Sequence, residues 1–233
     1  FGPRSLLCVG RWRSSFRARG RRVGWREIYR VKGGGAGCRA FFHARCVSGE
    51  GDALLLRACD LASFSYSRRR CAQLADALLV AFDWSGELVF YFRKDALFLD
   101  DPDLERKHAH IPRLKGERHV GACEKHIDEV LKPGESMSFF YDMEDYWEIK
   151  VEVERHIPDE EAPYPFMPVA LGGARFSPPE GVGGAIGYTD FCYAMAHPDD
   201  PLHAEAQDWY DLLPEGRFDP EHFDIFEMNG LFA

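Results

Sequence analysis

The sequence predicts an α+β fold. A single domain, with a mainly antiparallel or mixed sheet packed against helices, ends in short C-terminal helices and follows a poorly structured basic N-terminal extension. Three observations carry this reading. Residues 147–154 alternate strictly, with Trp147, Ile149, Val151 and Val153 against Glu148, Lys150, Glu152 and Glu154, the pattern of a strand with one wet face. Residues 71–82 carry apolar side chains at helical spacing, with Leu74, Leu78 and Phe82 at i, i+4 and i+8. The last third repeats a helix-start device, aspartate followed by proline, at Asp200-Pro201 and Asp219-Pro220.

Length and charge set the boundaries. A chain of 233 residues, 45% hydrophobic, supplies one sizeable core rather than two. Its net charge of −9 divides unevenly: residues 1–52 hold twelve Lys/Arg against three acids, which leaves −18 for residues 53–233. The division places an Arg-rich extension at 1–52 and the folded domain at 53–233. Seven cysteines, at 8, 38, 46, 59, 71, 123 and 192, form no C-x-x-C pair and are odd in number, which fits a reducing, cytoplasmic setting. No window approaches the roughly 18 consecutive apolar residues of a membrane span, so a soluble protein without a membrane partner is expected. No dinucleotide or phosphate-loop signature is present, and no cofactor is expected.

In chain order, residues 33–37 are Gly-rich and separate two candidate strands, 27–32 and 39–47. Three readings of the extension stay open. Arg11, Arg13, Arg17, Arg19, Arg21 and Arg22 suit phosphates, with Trp12 and Trp25 able to stack on bases, so nucleic acid is a candidate partner of residues 1–52. An Arg-rich, acid-poor stretch also suits a transit peptide. The third reading is an upstream segment without a selected role.

Residues 54–58 read as a first strand and 64–70 as an edge or loop. The helix over 71–82 ends at 83–86, and 87–93, dense in aromatic and branched residues, reads as a central strand. Residues 94–122 show no sustained period and read as a long polar excursion. Their His108, His110 and His119, near Asp100, Asp101 and Asp103, match no metal-ligand spacing and read as solvated loop histidines. A short helix spans 124–131. Strands at 137–141 and 147–153 then form a hairpin with an acidic connection, 142–146. Residues 157–187, rich in Pro and Gly, read as an ordered loop pinned by Tyr164, Phe166, Phe176 and Tyr188, with Gly183 and Gly184 serving packing. A helix opens at Tyr188 or Thr189, a second follows Asp200-Pro201 through Ala206, Trp209 and Tyr210, and Asp219 and Asp224 cap two further turns.

Several of these residues stand in register with a known family. Tyr141-Asp142, Asp145, Trp147-Glu148, Tyr164-Pro165, Pro178-Pro179-Glu180, Gly183-Gly184, Gly187-Tyr188, Phe191, His197-Pro198, Pro201 and the run from Phe218 to Asn229 resemble the plasmid pRiA4b ORF-3-like family. The resemblance covers about three quarters of the chain and excludes residues 1–52. It implies an α+β fold and an association with plasmids and mobile elements, including transposon passenger proteins labelled resolvase-like, with no established reaction. Two departures stand out. Met143 and Glu144 replace a Phe-Gly pair in the turn, so Glu144 is expected at a position open to positive φ. Ser177 and Val182 stand where many members have Cys, so no thiol chemistry is inherited.

A recombinase needs a nucleophile in an arginine-rich pocket. The folded part is acidic, which repels DNA and argues against direct strand cleavage. Two functional readings and a structural one remain. A non-enzymatic protein-binding or accessory module would use Tyr141, Asp142, Asp145, Tyr146, Trp147, Tyr164, Gly183, Gly184 and Tyr188 as its contact surface, with an unknown protein partner. A divalent-cation-dependent hydrolase would use Asp142, Glu144, Asp145 and Glu148 as ligands. Alternatively, Asp142 and Asp145 satisfy turn amides and Trp147 is core.

Overall fold

The computed structural model describes residues 38–47, 57–65, 69–158, 168–211 and 219–232, the first two stretches and 155–158 as backbone. The strands are β1 (Cys38–Val47), β2 (Arg57–Ser65), β3 (Phe90–Lys94), β4 (Leu97–Asp100), β5 (Arg118–Gly121), β6 (Ser136–Tyr141), β7 (Trp147–Pro158) and β8 (Val169–Ala174). The helices are α1 (Cys71–Ala81), α2 (Ile127–Val130), α3 (Gly184–Ala196), α4 (His203–Tyr210) and α5 (Ile225–Gly230). Among the described residues all eight strands join one sheet in the order β5-β4-β3-β6-β7-β1-β2-β8. Every neighbouring pair is antiparallel except β4 with β5, so the sheet is mixed and the domain is α+β.

The alternation on β7 works as expected. Trp147, Ile149, Val151 and Val153 are buried, while Glu148, Lys150, Glu152 and Glu154 lie on the other face. Met137, Phe139 and Tyr141 of β6 and Phe90 and Phe92 of β3 join them on the core face. Leu74, Leu78 and Phe82 of α1 are fully enclosed there, each contributing about 1.5–3 kcal/mol of burial. The opposite face carries a smaller cluster, Val89, Tyr91, Phe98, Phe140 and Ile111. The connection from β4 to β5 passes over it, with Leu104 and Ala109 packed against it.

That connection corrects the polar excursion expected over 94–122. Two four-residue strands bracket it, and each is too short to show a period. It is pinned by Lys107, whose nearly enclosed ammonium donates to Asp101 Oδ2 (2.8 Å), Gly86 O (2.9 Å) and Leu88 O (2.7 Å). His108 and His110 are exposed as expected. His119 is not: its side chain is 4% exposed, its Nδ1 lies 2.9 Å from Asp100 Oδ1, and its ring stacks on Phe98 at 4.6 Å.

Other boundaries shift. β3 begins at Phe90 rather than at 87, and α2 is shorter than 124–131 because residues 122–125 form a turn. The candidate strand 39–47 coincides with β1, whereas 27–32 lies outside the described residues. The strand expected at 54–58 runs from Arg57 to Ser65, and β1 precedes it in the same sheet. The loop expected over 157–187 is interrupted by β8, which tolerates Gly172 and Gly173 because it is an edge strand. Its free edge is met by Asn229 of α5, whose Oδ1 accepts from Ala170 N–H (2.9 Å) and whose Nδ2 donates to Ala170 O (3.0 Å). Asp224 caps α5 through Phe226 N–H (2.7 Å) and Glu227 N–H (3.1 Å). Asp200 and Asp219 instead close turns onto Leu202 N–H and Glu221 N–H, each at 2.9 Å, so α4 starts at His203 and no helix follows Pro220 directly.

Candidate functional site at the docked hairpin turn

The acidic connection between β6 and β7 is built from its own backbone. Asp142 Oδ1 accepts from Glu144 N–H (2.9 Å), and Asp142 O accepts from Tyr146 N–H (2.8 Å), a turn closed by an aspartate side chain. Positive φ falls on Asp142 (62°) and Tyr146 (56°), not on Glu144. The expectation for Glu144 is therefore corrected: the left-handed positions flank the middle of the turn, and an aspartate tolerates one of them well.

The turn docks on the start of α3. Asp145 Oδ2 accepts from Gly183 N–H (3.1 Å), and the amides of Gly184 and Gly181 lie close enough to favour its charged form. It thus occupies the anion-favouring end of the helix. Burial pushes the Asp145 carboxyl above its ordinary range; the three amides work against that shift and nearby Asp142 adds to it. The approach is close enough to require glycine. A Cβ on Gly184, at φ +68°, would lie 2.2 Å from the carbonyl oxygen of Asp145, and one on Gly187 would lie 2.0 Å from that of Val182. Hence α3 opens at Gly184, ahead of the start expected at Tyr188 or Thr189. Its first turn is glycine because chain 145 and loop 182 press against it.

A second tie fixes the same region. Trp84, just after α1, stacks on Tyr141 with centroids 5.0 Å apart and lies 5.7 Å from Trp147. Its Nε1 donates to Pro178 O at 2.8 Å, whereas the enclosed indole N–H of Trp147 meets no acceptor among the described residues. Glu180 Oε1 accepts from Ser85 N–H and Ser85 Oγ, both at 3.1 Å, and from the Tyr141 hydroxyl. Tyr141 Oη in turn accepts from Gly86 N–H at 3.1 Å. Burial, then the Glu180 bond, push the Tyr141 hydroxyl well up, so it stays a neutral donor. Ser177 Oγ donates to Phe82 O, the use this chain makes of a position where the resembling family often has Cys. Three segments, 84–86, 141–147 and 177–187, are thereby locked together at one end of the sheet.

The sequence candidates separate into two groups. Tyr141, Trp147 and Tyr188 are 1–3% exposed; Asp142 is buried, Gly184 is buried and Asp145 is half-buried beneath the α3 amides. These residues assemble the turn. Tyr146 is 51% exposed, with its hydroxyl 2.5 Å from that of Tyr91. Tyr164 lies outside the described residues. Of the carboxylates considered as cation ligands, Asp142 and Asp145 are engaged by amides and Glu148 Oε1 accepts from Ser138 Oγ at 2.6 Å. Among the described residues no group of three or more His, Cys, Asp or Glu side chains is placed to hold a metal ion. Sequence reasoning missed Met143 and Ile186, 38% and 64% exposed, and Leu88, 39% exposed, whose neighbour Val89 accepts from Asp142 N–H at 3.0 Å. With Tyr146, which packs on Phe140 and Tyr91, they are the exposed apolar side chains of the segments joined at the junction. An apolar residue in a turn or a helix's first turn was the available signal.

No helix among the described residues is long and apolar enough to cross a membrane. "Uncharacterized protein y4hQ" of Sinorhizobium fredii is 31% identical over 140 residues, which is 60% of this chain and 67% of that protein. A crystal structure of the protein of unknown function MM3350 from Methanosarcina mazei Go1 matches with a TM-score of 0.61, at 18% identity, over 82% of this chain and 97% of that one, a likeness of fold. The family model described as plasmid pRiA4b ORF-3-like protein matches residues 67–227, a span that contains the docked turn, Trp84 and the Gly-rich start of α3. The chain belongs to the plasmid pRiA4b ORF-3-like protein family.

Proposed function

We propose that the chain is a non-enzymatic protein-binding module of a mobile-element-associated family, and that its contact surface is the docked turn. One observation carries the reading. The turn's buried polar groups are spent on closing it and on holding it to the start of α3, while Leu88, Met143, Tyr146 and Ile186 stay exposed. A rigid, prepaid scaffold that displays apolar side chains loses little entropy on association. The hydrolase reading requires Asp142 and Asp145 to surrender amide hydrogen bonds to a cation. Calorimetric titration of Mg²⁺, Mn²⁺ and Ca²⁺ is expected to be silent in both the wild type and an Asp142→Asn/Asp145→Asn variant; heat seen only in the wild type would favour the hydrolase. A DNA-accessory role through the Arg-rich extension is a separate reading, and residues 1–37 lie outside the described residues.

The module reading is tested by placing the photo-crosslinker benzoylphenylalanine at Met143 and, as a control, at Phe226, which is 84% exposed on α5. In cells of the source organism, position 143 is expected to give a discrete protein adduct that position 226 does not. The identified partner, once purified, should bind at least tenfold more weakly to Ile186→Ser. Equal or absent adducts at both positions would overturn the reading.

A further inference from the structure

Resting on that reading, we infer that the docked turn receives a basic segment with an apolar anchor, supplied by a partner protein. The three segments that make the surface, 83–89, 142–148 and 180–187, contain seven acids, Asp83, Glu87, Asp142, Glu144, Asp145, Glu148 and Glu180, and no Lys, Arg or His. Among the described residues, Arg93 and Lys150 flank Glu148 at the β7 end of this surface, and the β4–β5 connection brings in two more cations. Lys107 is enclosed and bound to Asp101, and Arg106 lies 3.3 Å from Glu87 on the rim. Charge of one sign around apolar side chains focuses a potential that a cationic partner lowers and an anionic one raises. Nucleic acid and anionic lipid are therefore disfavoured here.

The apolar and charged parts are placed to act together. Met143 and Glu144 are adjacent in the turn, and Tyr146 follows Asp145, whose carboxylate touches the backbone two to three residues before Ile186. The Glu144 side chain is exposed and its carboxylate makes no hydrogen bond or ion pair among the described residues, so an incoming Lys or Arg meets a carboxylate without a competing partner. Met143, unbranched and polarizable, adapts to different apolar anchors. Leu88 and Ile186 are exposed on the two segments whose backbones bond the turn, through Val89 O and Gly183 N–H. A segment that fits carries one or two large apolar side chains over Met143 and Tyr146, with Lys or Arg spaced to reach Glu144 and Glu148.

The test uses the full chain with methyl-labelled Met143 and Ile186 observed by NMR, and three synthetic peptides of equal length. One combines Arg and Leu, the second replaces each Leu by Ser, and the third replaces each Arg by Glu. The first is expected to shift both methyls and to bind at least tenfold more tightly than the second; the third should leave them unmoved. Ile186→Ser, Met143→Ser and Glu144→Gln, all exposed positions, should each weaken the first peptide about fivefold. Equal binding of the first two peptides, or indifference to Ile186→Ser and Met143→Ser, would reduce the effect to unspecific charge attraction and overturn the inference. Residues 1–37 carry ten Lys/Arg and one acid; a crosslink from position 143 to them in the purified chain, or an adduct of twice the chain's mass, would assign the surface to the chain itself and also overturn it. An in-cell adduct whose captured segment is acidic or neutral would refute the basic segment and leave the module reading standing. The absence of any adduct would refute the module reading itself.

Discussion

Three glycines at the start of α3 allow the docking of the turn to be weighed in separate parts. Gly181 has φ +78° with nothing within 4 Å of an added Cβ, Gly187 has a Cβ position 2.0 Å from Val182 O without positive φ, and Gly184 combines φ +68° with 2.2 Å to Asp145 O. Alanine at position 181 therefore meets only the left-handed backbone penalty, about 1–2 kcal/mol. At 187 it meets only the clash, and forcing a methyl into a filled space costs about 1–3 kcal/mol. At 184 both apply, so about 2–5 kcal/mol is expected if they add. For a domain of this size that is a fall in Tm of roughly 4–20 °C. Urea denaturation of the three variants, followed by tryptophan fluorescence, measures each loss, because Trp84 and Trp147 sit beneath the turn. The expected order of loss is Gly184→Ala largest, with Gly181→Ala smallest or equal to Gly187→Ala. A Gly184→Ala protein within about 0.5 kcal/mol of wild type, the scatter of ordinary surface substitutions, would refute the claim that chain 145 presses on the helix.

Other consequences can be measured in the same way. Because burial raises the Asp145 carboxyl above its ordinary value of 3.8, the native state binds its proton at a pH where the unfolded chain does not. Stability from this group therefore rises as pH falls through the raised value and is fully gained below 3.8. The stability difference between wild type and Asp145→Asn should accordingly move in favour of wild type on acidification from pH 7, and urea midpoints showing the opposite slope would contradict the burial argument. Glu144→Gly, which restores the residue common in the resembling family, gains nothing from φ and should lower stability by up to about 1 kcal/mol through backbone entropy; a stabilised variant would reverse this account of the turn. Asn229→Ala strips both bonds from Ala170 and should cost about 1–3 kcal/mol, accompanied by light scattering from the newly open β8 edge. Lys107→Met leaves Asp101 enclosed without its cation, at a cost of about 3–5 kcal/mol, readable as a lowered urea midpoint.

Legibility in the sequence followed the range of the interaction. The alternation of β7 and the spacing of α1 are properties of neighbours along one element, and both were readable because one face of each is buried. Strands β4 and β5, four residues each, offer too few positions to show a period, and their pairing is decided by residues 21 positions apart. Gly184 and Gly187 looked like helix breakers because intrinsic propensity disfavours glycine there; the contacts that make glycine necessary come from chain 145 and loop 182. His119 looked like a solvated loop residue because nothing nearby in sequence announces that Asp100 and Phe98 will enclose it. At the candidate site the aromatic and acidic residues were visible as a motif, but their division into buried framework and exposed surface depends on where the turn docks. Met143 and Ile186 carry no polar chemistry, so only their exposure singles them out.

The position of β1 and β2 within the sheet bears on how the chain folds. Hairpins β3–β4 and β6–β7 form between residues close in sequence, but Cys38 of β1 pairs with Pro158 of β7, and Ala58 of β2 with Ala174 of β8. Those pairings enclose more than a hundred residues each, and loops of that length close late and slowly. Strands β1 and β2 must therefore wait for β7 and β8 before they acquire their outer neighbours. Until then β7 presents an unpaired edge, the kind of intermediate that associates with other chains. A fragment starting at residue 53 would lack β1 and leave that edge open at the end of folding as well, so binding measurements made on it would mix the docked turn with a second, adhesive surface.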